Sequence, residues 1–385
     1  MEDVSVVQDG ENHTGLAGAK LQASAERVYT ASQAQLVWWK FRKHKVAMAS
    51  LWILVVLYTI AIFCEFLAPH SPRRYSAQYV NAPPRAVRFA GEDGISLRPF
   101  VYGYTSGRDP VTLARVYEID RESVYPLRFF VRGDPYKLLG VIPWDVHLMG
   151  TSENVPLLLW GADELGRDVM TRIVYGARIS LSIGLVGVFL SLFIGILLGG
   201  LSGYVGGFVD TIIQRVIELL RSLPAIPLWL MLAAALPADW SPVATYFGIT
   251  VILSFLGWTA LARVVRGRFI SLREEDFVLA ARLIGARRLY VIRKHMVPSF
   301  ASHLIASVTL SVPAMILAET SLSFLGVGLQ APVISWGVLM QSAQNLRSVV
   351  QAPWLLLPGG AVVVAVLAFN FVGDGLRDAA DPFSQ

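Results

Sequence analysis

Metal binding, nucleophilic attack and phosphate binding each need particular side chains at particular spacings, and this chain of 385 residues offers few of them. Its histidines, His13, His44, His70, His147, His295 and His303, include no H-x-x-x-H or H-E-x-x-H pair, and the one cysteine, Cys64, has no second thiol. Neither a metal site nor a disulfide framework is expected. No G-x-x-x-x-G-K-S/T occurs, so the backbone cradle and lysine that hold nucleotide phosphates are missing; the chain is not expected to hydrolyse ATP itself. Ser302, Ser307, Ser311, Ser321 and Ser323 share one apolar run with His303 near its end. Intramembrane serine chemistry would need a base positioned in that run, whereas small polar residues there serve helix packing or line an aqueous path. No catalytic residue is expected.

A more informative constellation is Arg273–Pro298, REEDFVLAARLIGARRLYVIRKHMVP. Phe277, Ala280, Ala281 and Ile284 recur at i, i+3, i+4 and i+7, the spacing of a short amphipathic helix. Glu274, Glu275 and Asp276 lie at its start, where carboxylates meet the positive helix end. Gly285 follows as a stop suited to a left-handed cap. Two readings fit such a helix. It can seat in a groove on another protein, with Phe277 as anchor and Ala280 and Ala281 permitting close approach. It can equally lie on lipid headgroups, held by its arginines.

The elements on either side place that helix. Only 16% of residues are charged and 54% are hydrophobic, against about 25% charged in soluble domains, which sets the chain apart from water-soluble proteins. Val46–Leu67 is an apolar run of 22 residues, about 33 Å as a helix and enough to cross a hydrocarbon core of about 30 Å. It is long for a cleaved signal and lacks a small-residue cleavage site before Pro69. Further runs are Ile179–Leu201, a third within Asp210–Leu236, then Tyr246–Val265, Ser299–Leu325 and Trp354–Phe371. Six spans are therefore expected. The third is the weakest, because Arg215, Glu218 and Arg221 occupy its first turns and should project into water or protein.

Basic residues near the span ends set the orientation. Lys40, Arg42, Lys43 and Lys45 precede the first run, and Arg263–Lys294 carries nine basic residues against three acidic ones. Pro237–Thr245 has no Lys or Arg, and Gly326–Pro353 has only Arg347. Both termini and the charged helix are thus expected in the cytoplasm. The net charge of +5 follows from topology, and no nucleic-acid partner is expected.

Residues 1–35 are polar and small, without apolar period, and are expected to form a disordered cytoplasmic tail. Residues 36–68 are read as the N-terminal transmembrane helix and 69–177 as an outer insertion, too long to lack structure of its own. Phe100–Tyr104, Leu127–Arg132 and Leu138–Ile142 are its expected strands, bounded by Gly, Pro and Asp. The insertion serves equally well as a spacer or as a partner-binding surface. Residues 178–385 form the expected transmembrane core, with a cytoplasmic loop at 266–298.

LAARLIG followed by Pro298, thirteen residues after Gly285, resembles the coupling loop of binding-protein-dependent ABC importer permeases. GADELGRDVMTRIVYGARISLSIG from Gly161, LREEDFVLAARLIGA from Leu272, AETSLSFLGVGLQAPVISWG from Ala318 and FNFVGDGLRDAADP from Phe369 are similar to the C-type subunits of the dipeptide and oligopeptide subfamily. The resemblance runs from about residue 36 onward. It implies an all-α integral membrane protein of type I ABC importer permease fold, with six transmembrane helices and a small, mainly β insertion outside the cell. It implies a second, B-type permease subunit, two cytoplasmic ATPase subunits binding ATP and Mg, a periplasmic substrate-binding protein, and a place in the bacterial inner membrane. The first span would wrap the partner permease. Coupling to the ATPases would fall to Asp276, Phe277, Ala280, Ala281, Arg282, Gly285 and Ala286. Two departures stand out: the family's glutamate is Leu279 here, so no role for that carboxylate carries over, and the outer loop is longer than usual. Peptides are the expected substrate, with oligosaccharides as the alternative; a stand-alone channel or secondary transporter would leave the charged helix without a task.

Within the fifth run, Ser307, Thr309 and Ser311 are polar positions suited to a translocation pathway. Glu319 can belong to that pathway or be a hydrogen-bonded structural carboxylate. Arg167 and Asp168 are read as structural, and Asp374 and Arg377 as an i, i+3 pair.

Overall fold

The computed structural model describes residues 32–91, 94–108, 110, 115–151, 155–237 and 239–381; nearly all of the expected tail lies outside them. Helices α1 (Gln33–Lys43), α2 (Lys45–Ile62), α3 (Val169–Val205), α4 (Gly207–Ser222), α5 (Ala225–Ala234), α6 (Pro242–Leu272), α7 (Asp276–Leu283), α8 (Ala301–Phe324) and α9 (Leu357–Ala380) carry the architecture. A four-stranded sheet between α2 and α3 comprises β1 (Arg88–Gly91), β2 (Gly94–Arg108), β3 (Arg115–Leu138) and β4 (Ile142–Thr151).

The region expected as one helix over residues 36–68 is broken into α1, α2 and a single turn, Cys64–Leu67. Ser32 and Gln35 form a capping box at the start of α1. His44 separates α1 from α2 with an extended backbone, its Nδ1 accepting the Ala47 N–H at 3.1 Å. The first span packs along α9: Gly375 of α9 admits Ala47, and the Tyr58 ring meets Phe369 edge-on. Its other face, with Trp52 and Val56, is uncovered.

At the centre stands α3, and its glycines decide how the bundle packs. A Cβ at Gly199 would lie 2.4 Å from the Ala262 carbonyl oxygen, and one at Gly203 2.7 Å from that of Arg266, both on α6. On another face Gly184 and Gly187 receive Ile316 and Met315 of α8. Lipid tails are as apolar as leucine, so helices associate in a membrane by close packing, and small residues permit it.

Among the described residues, five helices are long and apolar enough to cross a membrane: α2, α3, α6, α8, and α9 with its preceding turn. The third expected span is broken. α4 and α5 meet at 88°, because Leu223 is extended and Pro224 offers no N–H to continue α4. The count is five, or six if the bent pair crosses as one.

The insertion is an antiparallel meander in the order β1-β2-β3-β4. Phe100–Tyr104 lies in β2 and Leu127–Arg132 in β3. Leu138–Ile142, expected as a strand, instead turns β3 into β4, with Leu139 and Gly140 at φ of 53° and 76°. The run is apolar but its alternation stops at the glycine, where the chain reverses. α3 begins at Val169, inside the range read as insertion, because Asp168 caps it, accepting the Thr171 N–H at 2.9 Å.

The sheet is fastened to the C-terminal end of the first span. Arg178 of α3 pairs with Glu65 through both arms, at 2.5 and 2.6 Å, and donates to the Ala61 and Ile62 carbonyls. His147 on β4 bridges the Ala68 and Asp134 carbonyl oxygens. Nearby, buried His70 accepts the Leu157 N–H at Nε2, 3.0 Å away. Burial, reinforced by Arg74 and countered by Asp134, pushes His70 down to about 4, with His147 and Arg85 adding to the fall. The folded state then binds this proton less readily than the unfolded chain. Stability is full above about 6.5 and falls as pH drops toward 4, by about 3 kcal/mol in all. Thermal unfolding at pH 7 and 4.5 should show this loss, and His70→Gln, which keeps an acceptor for Leu157, should reduce it.

Candidate functional site

α7 stands in the connection between α6 and α8, and two residues hold it there. Val278 and Ala281, i and i+3, are buried in one cluster with Val265 and Phe269 of α6, Phe300 just before α8, and Leu304 of α8. Arg282 lies over the Tyr204 ring of α3, 6.0 Å from its centre. Gly285 has φ of 80°, a conformation that glycine adopts without the Cβ clash. The helix closes as a Schellman motif: Ala286 N–H donates to the Ala281 carbonyl and Gly285 N–H to that of Arg282, each at 3.0 Å. Ala286 is partly buried beneath the turn. Asp276 sits in the first turn, and Glu275 occupies the N-cap without a side-chain bond.

The outward face differs from the one the periodicity suggests. Ala281 points into the bundle, while Leu279 and Leu283 join Phe277, Ala280 and Ile284 outside. Leu283 and Ile284 are 88% and 85% exposed. An amphipathic period identifies two faces but not which of them the protein covers; here Val278 and Ala281 are the inner pair. Leu279, where the resemblance implied a glutamate, is on the exposed face.

A second feature lies at the opposite end of the helices. A cavity of about 730 Å³ opens between α3, α6 and the 332–334 segment, lined by Tyr175, Arg178, Ser182, Tyr246, Phe247 and Val333 among others. Tyr246 donates to Ser182 Oγ at 3.0 Å across it. None of the residues singled out from the fifth run lines this space. Thr309 and Ser311 donate to the Ile305 and Ser307 carbonyls one turn back along α8, and Ser307, Thr309 and Ser311 are all half-buried.

Glu319 is fully buried. Its Oε1 accepts from Ser323 and Ser335, each at 2.8 Å, and Oε2 from Ser180 of α3 at 3.4 Å. Each of these serines in turn accepts a backbone N–H, from Leu329, Val338 and Trp336 respectively. The carboxylate thereby joins α3, α8 and the short helix Trp336–Met340. Ser180 and Ser335 were missed because 139 and 16 residues of chain separate them from Glu319, a distance no local period reports. Arg167 and Arg172 both bind Asp163, and neighbouring Asp168 caps α3. Asp374 and Arg377 form no ion pair among the described residues, contrary to their spacing. Among those residues no group of three His, Cys, Asp or Glu could hold a metal.

Comparison with known proteins bears on these sites. Residues 192–384 match the family model of the binding-protein-dependent transport system inner membrane component, and residues 32–84 that of the N-terminal TM domain of oligopeptide transport permease C. The dipeptide transport system permease protein DppC of Bacillus subtilis is 32% identical over 94% of this chain and 89% of its own length. The oligopeptide transport system permease protein OppC of Salmonella typhimurium is 42% identical over 58% of this chain and 72% of its own. An inward-facing structure of the MetNI methionine ABC transporter covers 55% of this chain and 97% of the matched chain at 20% identity and a TM-score of 0.42. A family match across the inner-membrane core, with a relative aligned along nearly the whole length, shows that this chain belongs to the dipeptide and oligopeptide permeases of the binding-protein-dependent ABC importers.

Proposed function

We propose that this chain is one of two transmembrane subunits of a type I ABC importer that carries di- or oligopeptides across the bacterial inner membrane. The observation that carries the reading is the outward face of α7, where Phe277, Leu279, Leu283 and Ile284 stand exposed on a helix whose other side, Val278 and Ala281, is buried in one cluster with residues of α6 and α8. An apolar helical face offered to a groove is a standard mode of docking. The occupant is an ATPase subunit, one of two, which binds ATP and Mg and drives the cycle. This chain supplies a lever and half of the pathway, closed by a B-type permease and loaded by a substrate-binding protein from outside.

The basic residues in the last turn of α1 and in and around α7 support a cytoplasmic position for both, with the termini inside and the sheet outside. Closure of the ATPases would press on α7, and its packing against α6 and α8 would tilt those helices together. Relatives of this chain are named for dipeptide and oligopeptide transport, which supports peptides as the cargo.

Purified with its partners in liposomes, the complex should take up peptide only when ATP and the binding protein are present. Gly285→Val tests the lever. A β-branched residue at φ of 80° costs about 1–2 kcal/mol and undoes the cap that fixes Leu283 and Ile284. Uptake should fall about ten-fold while the ATPase subunits continue to hydrolyse ATP; unchanged uptake would remove α7 from the coupling path.

A further inference from the structure

A polar network at the inner end of α4 takes no part in the α7 surface, yet it joins three helices. Arg266 of α6 grips Asp210 of α4 with both arms, Nε to Oδ1 and Nη2 to Oδ2, at 2.6 Å each. Ser202 of α3 donates to the same Oδ1, and Gln214, a turn further along α4, donates to Ser202 Oγ at 3.2 Å. A forked guanidinium on a carboxylate fixes orientation as well as distance.

The position of the pair gives it meaning. Val265 and Phe269, on either side of Arg266 in α6, lie under α7. Gly203 brings α3 into backbone contact with Arg266, so α6 cannot roll there without carrying the guanidinium along. Beyond Asp210, α4 begins at a turn of two residues at positive φ, Gly206 and Gly207, and ends at the 88° break before α5. α4 also touches α6 through Ile217, against Trp258 and Ala262. That apolar contact tolerates sliding; the forked pair does not.

We infer that Asp210 and Arg266 are a positioning pair that passes displacement of α7 into the broken span α4–α5, so that the bent helices move with the coupling helix. The outward side of α4–α5 supplies a reason to move it: Phe208, Leu219 and Met231 are exposed, a surface left for the pathway or for the second permease. The inference rests on the reading of α7 as the ATPase-docking helix.

The test uses the assembled transporter in liposomes, with peptide uptake and ATP hydrolysis measured on the same preparation. Asp210→Asn and Arg266→Lys should assemble and hydrolyse ATP near the wild-type rate while uptake per ATP falls about ten-fold. The reversal Asp210→Arg with Arg266→Asp should regain part of that ratio. A wild-type ratio in both assembled single variants would overturn the inference. So would failure of both to assemble, since the pair would then hold the fold and nothing more. A wild-type transporter that moves peptide without ATP would defeat the docking reading itself, a result independent of the pair.

Discussion

Leu283→Asp is expected to abolish uptake by preventing the ATPase from seating. The side chain is 88% exposed, so the folded permease loses almost no packing, and a carboxylate in the last turn opposes the helix dipole by only about 0.5 kcal/mol. In the docked state the same carboxylate would be buried in an apolar groove without a partner, at a cost of several kcal/mol. A central apolar anchor contributes about 2 kcal/mol or more to an interface. Loss of the anchor and burial of the charge together should weaken association more than about 100-fold. Leu283→Met, similar in volume and apolar, should leave uptake within about two-fold of wild type. Co-purification with the ATPase reads the effect directly. Should Leu283→Asp retain the ATPase at wild-type yield, α7 would lie on lipid headgroups instead.

Glu319→Ala should give the largest loss of stability. In the folded chain the carboxylate is the common acceptor for Ser180, Ser323 and Ser335, whose own oxygens hold the Trp336, Leu329 and Val338 amides in place. Truncation leaves three buried hydroxyls without their acceptor and a cavity at a junction of α3, α8 and the Trp336–Met340 helix. Leaving buried polar groups unsatisfied costs about 1–3 kcal/mol apiece before relaxation, so a loss of about 4 kcal/mol is expected. Glu319→Gln keeps an acceptor for Ser323 and Ser335 and turns a donor toward Ser180; it should cost about 1 kcal/mol. Thermal unfolding of the detergent-solubilised protein measures both. A stable Glu319→Ala variant with failed transport would return this residue to the translocation pathway.

Several features were legible from local residue patterns because they are properties of short segments. Hydrophobic runs placed five of the six expected spans, and α7 with its glycine stop stands where Phe277, Ala280 and Ile284 put it. Phe100–Tyr104 and Leu127–Arg132 lie in strands as their composition suggests. The third span failed as a single helix because a hydropathy window averages across Leu223 and Pro224, whereas the backbone breaks there. Leu138–Ile142 failed because an apolar stretch can turn as well as extend when a glycine lies within it.

By itself, then, the sequence determined membrane residence, the positions of the apolar helices and the charged helix with its glycine stop between two of them, since each depends on residues within one or two turns of each other. Tertiary structure alone decided which side of α7 faces out, that Glu319 ends three serine chains, and that Asp210 meets Arg266. These depend on how close α3 comes to α6 and α8. That approach is set by which glycines happen to face a neighbouring backbone, and a linear chain does not state what its helices will meet.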